Sequence, residues 1–164
     1  MRLIAFILAL FLAGPAAAAD WKEYAYPDFS FTVHFPVDPK IEATTFQVPD
    51  GRSFEARIYS VSQDTGVFKI TIAEVPDGGP DENALISHAV KTMTEGGVIK
   101  VDIPHRIRQV YGRQLGIAGP NGGYSYVAVF YHKKRLYQIE GKAFVAGGQV
   151  EVDAMRFQQS LDLT

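Results

Sequence analysis

The chain has no cysteine. It can form no disulfide, hold no thiolate-ligated metal and run no thiol redox chemistry. Nor can it carry the lipid that exported lipoproteins attach to a cysteine beside their cleavage site. A strong excess of one charge is also missing: 16 Lys and Arg stand against 18 Asp and Glu, a formal net charge of −2. That balance excludes the electrostatic footprint of a nucleic-acid binder. Lys133-Lys134-Arg135 is too short a basic run to hold an anionic membrane, and we read it as charge on an exposed strand edge or turn, where it discourages aggregation. No apolar stretch reaches the ~20 residues that a bilayer-spanning helix requires. Four Gly-Gly pairs, at 78–79, 96–97, 122–123 and 147–148, fall at element boundaries, and none completes a dinucleotide-binding or phosphate-loop pattern. Internal repeats, linkers and low-complexity tracts are absent.

The N-terminus carries a recognisable address. Met1-Arg2 is a positive start, residues 3–12 are an apolar run, Gly14-Pro15 breaks it, and Ala16-Ala17-Ala18-Ala19 supplies small residues before Asp20. Charge, apolar stretch and A-x-A site in that order predict a secretory signal peptide over residues 1–19, cleaved before Asp20. Without a disulfide or lipid anchor, the mature protein is expected in the periplasm, with no stable membrane insertion. The remaining 145 residues, with a net charge of −3, suit a single domain, 20–164.

Aromatic and β-branched residues then alternate. A lead-in strand at 21–26 precedes Phe29, Phe31, Val33 and Phe35, which share one phase of a half-buried strand. Further strands are predicted at 41–48, through Phe54, Ala56, Ile58 and Ser60, and at 67–75, with turns at Pro49-Asp50-Gly51 and Asp64-Thr65-Gly66. The period then changes. Leu85, Ile86, Ala89, Val90 and Met93 predict a helix over 81–95, with Pro80, Asp81 and Glu82 in its first turn and Gly96-Gly97 at its end. Strand pattern resumes at 98–110, interrupted by Pro104, and at 113–118. A hairpin follows over 124–131 and 136–141, apolar on both phases and therefore central. Val150, Ala154, Phe157 and Leu161 predict a last helix over 149–161.

Few residues suggest chemistry. His34, His88, His105 and His132 are widely spaced, without the close ligand spacing of a zinc site. His105 with Arg106 and Arg108 is a candidate anion contact, read as a solvated strand face. Ser125 in Gly123-Tyr124-Ser125-Tyr126 lacks the glycine that follows a nucleophile-elbow serine, and we place it as a small residue packed among aromatics. Asp77, Asp81 and Glu82 lack calcium-loop spacing and are read as helix-start residues. Tyr124, Tyr126, Tyr131 and Tyr137 form a Tyr-rich cluster, assigned to sheet packing with interface formation as the alternative. The residues therefore predict no catalytic, cofactor-binding or metal site, no cofactor, and folding without a metal.

Two patterns carry a family resemblance: Phe29-x-Phe31-x-Val33-x-Phe35-Pro36 near the mature start, and Arg135-x-Tyr137 followed by Arg156-Phe157-x-x-Ser160-Leu161 near the end. In order and spacing these resemble the PsbP-like family along nearly the whole mature chain, Leu161 replacing that family's last Phe. The resemblance implies an α+β fold, a central mainly antiparallel sheet sandwiched by two helices (α-β-α). Its members include an extrinsic photosystem subunit, a Ran-binding transport factor and small bacterial envelope proteins, which dock to larger partners and share no active site. The expectation is a non-enzymatic periplasmic accessory protein docked to an envelope protein complex. The alternative is a small-molecule or metal-ion carrier. Phe31, Phe35, Phe130, Tyr137 and Phe157 are the expected core.

Overall fold

Phe31, Val33 and Phe35 are buried while Thr32 and His34 between them are only half-buried, the period of two that one inward-facing strand surface imposes. The structure, a computed structural model, describes residues 20–48 and 50–164. The expected signal peptide and Pro49 of the expected turn lie outside the described residues.

In chain order the elements are β1 (Lys22–Tyr26), β2 (Phe31–Phe35), β3 (Lys40–Gln47), β4 (Ser53–Gln63), β5 (Gly66–Glu74), α1 (Glu82–Met93), β6 (Val98–Ile107), β7 (Val110–Ala118), β8 (Tyr124–His132), β9 (Arg135–Ala143), α2 (Gly148–Gln159) and β10 (Asp162–Leu163). Seven strands form one sheet in the order β3-β4-β5-β9-β8-β7-β6, every neighbour antiparallel. A separate small sheet has the order β1-β2-β10.

The described residues are thus α+β, two antiparallel sheets with two helices. In β8, Val127 and Val129 point to one face of the large sheet and Ala128 and Phe130 to the other, and all four are buried. Leu85, Ile86, Ala89 and Val90 of α1 join Val127, Val129 and Leu136 in one core. Ala154 and Phe157 of α2 join Phe130, Ile139, Phe68 and the small sheet's Phe31, Val33 and Phe35 in the other. All five expected core residues are buried. One sheet covered by two helices is the arrangement expected from the family resemblance. Instead α2 shares its face with the small sheet, because the inward aromatics of β2 pack onto the large sheet rather than extend it. Phe35 lies 4.9 Å from Phe157 and Tyr26 4.4 Å from Tyr59, between ring centroids. The two residues of β10 gave no periodic signal.

Local chemistry sets the element ends. Asp81 is the N-cap of α1, its carboxylate accepting the Ala84 N–H at 2.9 Å. Glu151 does similar work in α2, accepting the Gly147 N–H at 2.5 Å. Lys133 and Lys134 both adopt left-handed backbone (φ 48° and 59°) to close the β8–β9 turn. They therefore join two interior strands and guard no edge. In β4, Phe54 and Ala56 serve the α1 side, but Tyr59 and Val61 on the opposite phase are buried on the other side. The expected inner face of this strand, continued through Ile58 and Ser60, is corrected accordingly: both of those are only half-buried. β6 runs through Pro104 without interruption. Proline fits because β6 is the last strand of the sheet, where one side of its backbone needs no partner.

Candidate functional site

The histidines stand apart. His34 approaches Glu23 at 3.4 Å across the β1–β2 pair, His88 bonds the Gln47 carbonyl at 2.9 Å, His132 ends β8, and His105 lies against the Phe130 ring at 5.6 Å. Burial there lowers the His105 pKa below its ordinary 6.5. Among the described residues no three His, Asp or Glu side chains could share a metal ion. The neighbouring arginines do not converge with His105. Arg106 lies 5.9 Å from the Tyr111 ring, and Arg108 forms a two-pronged ion pair with Asp162 at 2.9 and 2.5 Å, which holds the Asp162 carboxyl below the usual range.

Ser125 points away from Tyr124 and Tyr126, because neighbours in a strand face opposite sides. Its hydroxyl donates to Glu140 at 3.0 Å, and Glu140 also meets Lys69 at 3.1 Å. This corrects its expected packing among aromatics. The tyrosines divide as well. Tyr124 and Tyr126 have ring centroids 4.9 Å apart. The Tyr126 hydroxyl donates to Glu151 at 2.8 Å, and burial together with that carboxylate pushes its pKa up to about 12. Tyr131 packs toward the α1 core. Tyr137 is buried and donates to the Phe29 carbonyl at 2.7 Å. Asp77 pairs with Lys134 at 2.7 Å, and Glu82 opens α1.

The residues of the two quoted motifs hold the small sheet in place. Arg135 and Tyr137 reach Phe29, Arg156 stacks on Trp21 at 4.9 Å, and Ser160 accepts the His34 N–H at 3.0 Å.

The surface feature that the sequence reading missed is the β6 edge. Val98, Ile99, Val101 and Ile103 are 59, 45, 40 and 47% exposed, and Tyr111 beside them is 63% exposed. Every residue from Val98 through Pro104 is exposed. A bulge between Ile99 and Val101 shifts the pairing to β7 by one residue at Lys100. Apolar residues on both phases resemble a buried central strand, which hid the exposure. Pro104, a residue restricted to strand edges, was the available signal. On the α2 side, β7 cannot supply cover: Gly112 and Gly116 leave room for the Phe130 ring and the Tyr124 hydroxyl, where a Cβ would collide.

No family model matches this chain, and no curated protein matches it in sequence. Among solved structures, the solution structure of cyanobacterial PsbP (CyanoP) from Synechocystis sp. PCC 6803 superposes with a TM-score of 0.61. It covers 94% of this chain and 99% of that chain at 10% identity. The chain therefore has a PsbP-like fold; at that identity the likeness extends to the fold alone. Among the described residues no helix is long and apolar enough to cross a membrane.

Proposed function

We propose that this is an exported, periplasmic accessory protein without catalytic activity, which docks to a larger envelope complex through the free edge of β6. The large sheet is then the middle of an α-β-α sandwich, the small sheet completing the α2 layer. The carrying observation is the exposed run from Val98 to Ile103 on a strand with no outer neighbour among the described residues. A free edge offers unpaired backbone donors and acceptors to an extended partner segment, and alternating side chains add selectivity. The partner best suited to it is an extended segment with apolar residues at alternate positions and an acidic residue facing Lys100.

The length of the contact is limited by Pro104. A two-residue turn at Arg108 and Gln109 makes Ile107 and Val110 the first hydrogen-bonded pair. Three residues away, the backbone of Pro104 then faces outward, where it lacks an N–H to offer. Docking therefore uses the stretch before Pro104.

Affinity purification of the tagged protein from its own envelope extract tests the reading. One complex retained by the parent and by Ile41→Lys in β3, and lost by Ile103→Lys in β6, is the expected result. A complex retained equally by all three, or no complex and a bound small molecule in native mass spectrometry, overturns it.

A further inference from the structure

A charged cleft lies over β4, β5 and β9, where the small sheet ends at Phe29. Glu55 and Glu74 follow the paired Ala56 and Ala73 outward along adjacent strands, and Glu74 stands opposite Arg135 of β9. These two carboxylates form a common wall of two open cavities, about 500 and 390 Å³. Arg135 lines the first beside Lys133 and Lys134, whose ammonium groups are already engaged by the Thr164 carbonyl and by Asp77, and Arg57 lines the second with Phe29 and Thr45.

Arg57 and Arg135 are the natural ion-pair partners of these carboxylates, yet none of the four makes an ion pair among the described residues. Both guanidinium groups turn onto the Phe29 ring instead, at 5.0 and 5.5 Å from its centroid. The ring's own position is fixed from below, where the Phe29 carbonyl accepts from Tyr137. A guanidinium stacked on a ring keeps its planar edge of N–H donors available for a carboxylate. Among the described residues Arg135 Nε is buried with no hydrogen-bond partner. A buried donor left in that state is unfavourable, and an added acceptor relieves it.

The mixture of charges narrows the ligand. A simple anion drawn to the arginines meets Glu55 and Glu74, and a simple cation drawn to the glutamates meets Arg57 and Arg135. A small molecule carrying both charges satisfies both pairs. We propose that this cleft binds a zwitterion of the amino-acid or short-peptide class, its carboxylate toward Arg57 and Arg135 and its ammonium toward Glu55 and Glu74. The site is separate from the β6 edge and stands or falls independently of it.

Titration of the isotope-labelled protein with glycine, glycylglycine, acetate and methylammonium at constant ionic strength, followed by amide chemical shifts, tests this. At least one zwitterion should bind saturably about tenfold tighter than either single-charge probe, with shifts confined to residues around Phe29, Glu55, Arg57, Glu74 and Arg135. Arg57→Gln and Glu55→Gln, both exposed residues of β4, should each weaken it about tenfold while the remaining spectrum is unchanged. Acetate binding as tightly as the zwitterions would reduce the cleft to an anion site and overturn the proposal. So would the absence of saturable shifts in this region.

Discussion

At one edge of the large sheet, β3 presents Lys40, Glu42, Thr45 and Gln47 to solvent, with Ile41 its one exposed large apolar side chain. Lys40 and Glu42 also pair with each other at 2.9 Å. At the other edge, β6 presents Val98, Ile99, Val101 and Ile103. Among the described residues both strands lack an outer neighbour, so the backbone hazard is the same and only the side chains differ. β3 follows the usual protection of an edge by charge. β6 has charges too, but Asp102 is tied back to Arg113 and Arg106 lies over the Tyr111 ring beyond Pro104, which leaves Lys100 and Pro104 as the guards of the apolar run. One sheet therefore has a charge-protected edge and an open one, and the proposed contact uses the open edge.

The most drastic way to break this contrast is to loosen the sheet beneath both edges. Phe157 is fully buried against Phe35, Phe68 and Trp21. Phe157→Ala should cost about 3–5 kcal/mol in denaturant unfolding and weaken both edges together. A narrower break is Gly112→Ala. Its Cβ would meet the Val129 carbonyl and the Phe130 ring, so the β7–β8 contact must shift, at about 1–3 kcal/mol. Hydrogen exchange should then quicken in β6 and β7 and stay unchanged in β3.

Charge placed on the open edge should separate docking from stability. Ile103→Lys should change unfolding free energy by no more than about 0.5 kcal/mol, as expected at an exposed site. It should weaken partner binding about tenfold, equivalent to about 1.4 kcal/mol. Ile41→Lys should change neither. The smallest effect concerns His105, whose pKa is lowered by burial beside Phe130. Below pH 6.5 the unfolded chain takes up a proton that the folded strand resists. The stability from this group is complete above that pH and lost as pH falls through the folded value. Acid should therefore loosen the β6–β7 pair slightly, and melting curves of His105→Gln should lack this component.

The fold was readable where periodicity and punctuation agree. Alternating Phe31, Val33 and Phe35, the apolar β8–β9 hairpin and the stripes of both helices all follow from the side one face must bury. What escaped depended on neighbours distant in sequence. Nothing in residues 21–35 says that they form a second sheet, since that depends on Phe35 meeting Phe157 and Tyr26 meeting Tyr59. β10 is too short for a period. The β6 edge was hidden because an open edge and a buried centre can share one apolar pattern, and only strand order tells them apart. The cleft escaped for a related reason: Glu55, Arg57, Glu74 and Arg135 lie on three strands, and Phe29 reaches them from outside the sheet.

Position-specific photo-crosslinking in the intact envelope tests the open edge most directly. A photoreactive residue placed in turn at Ile99, Val101 and Ile103 of β6, and at Ile41, Ala43 and Thr45 of β3, should give one recurrent adduct from β6 positions and none from β3. The adduct should vanish when Lys100 is reversed to Glu beside the probe. Equal adducts from both strands, or adducts from β3 alone, would contradict the account.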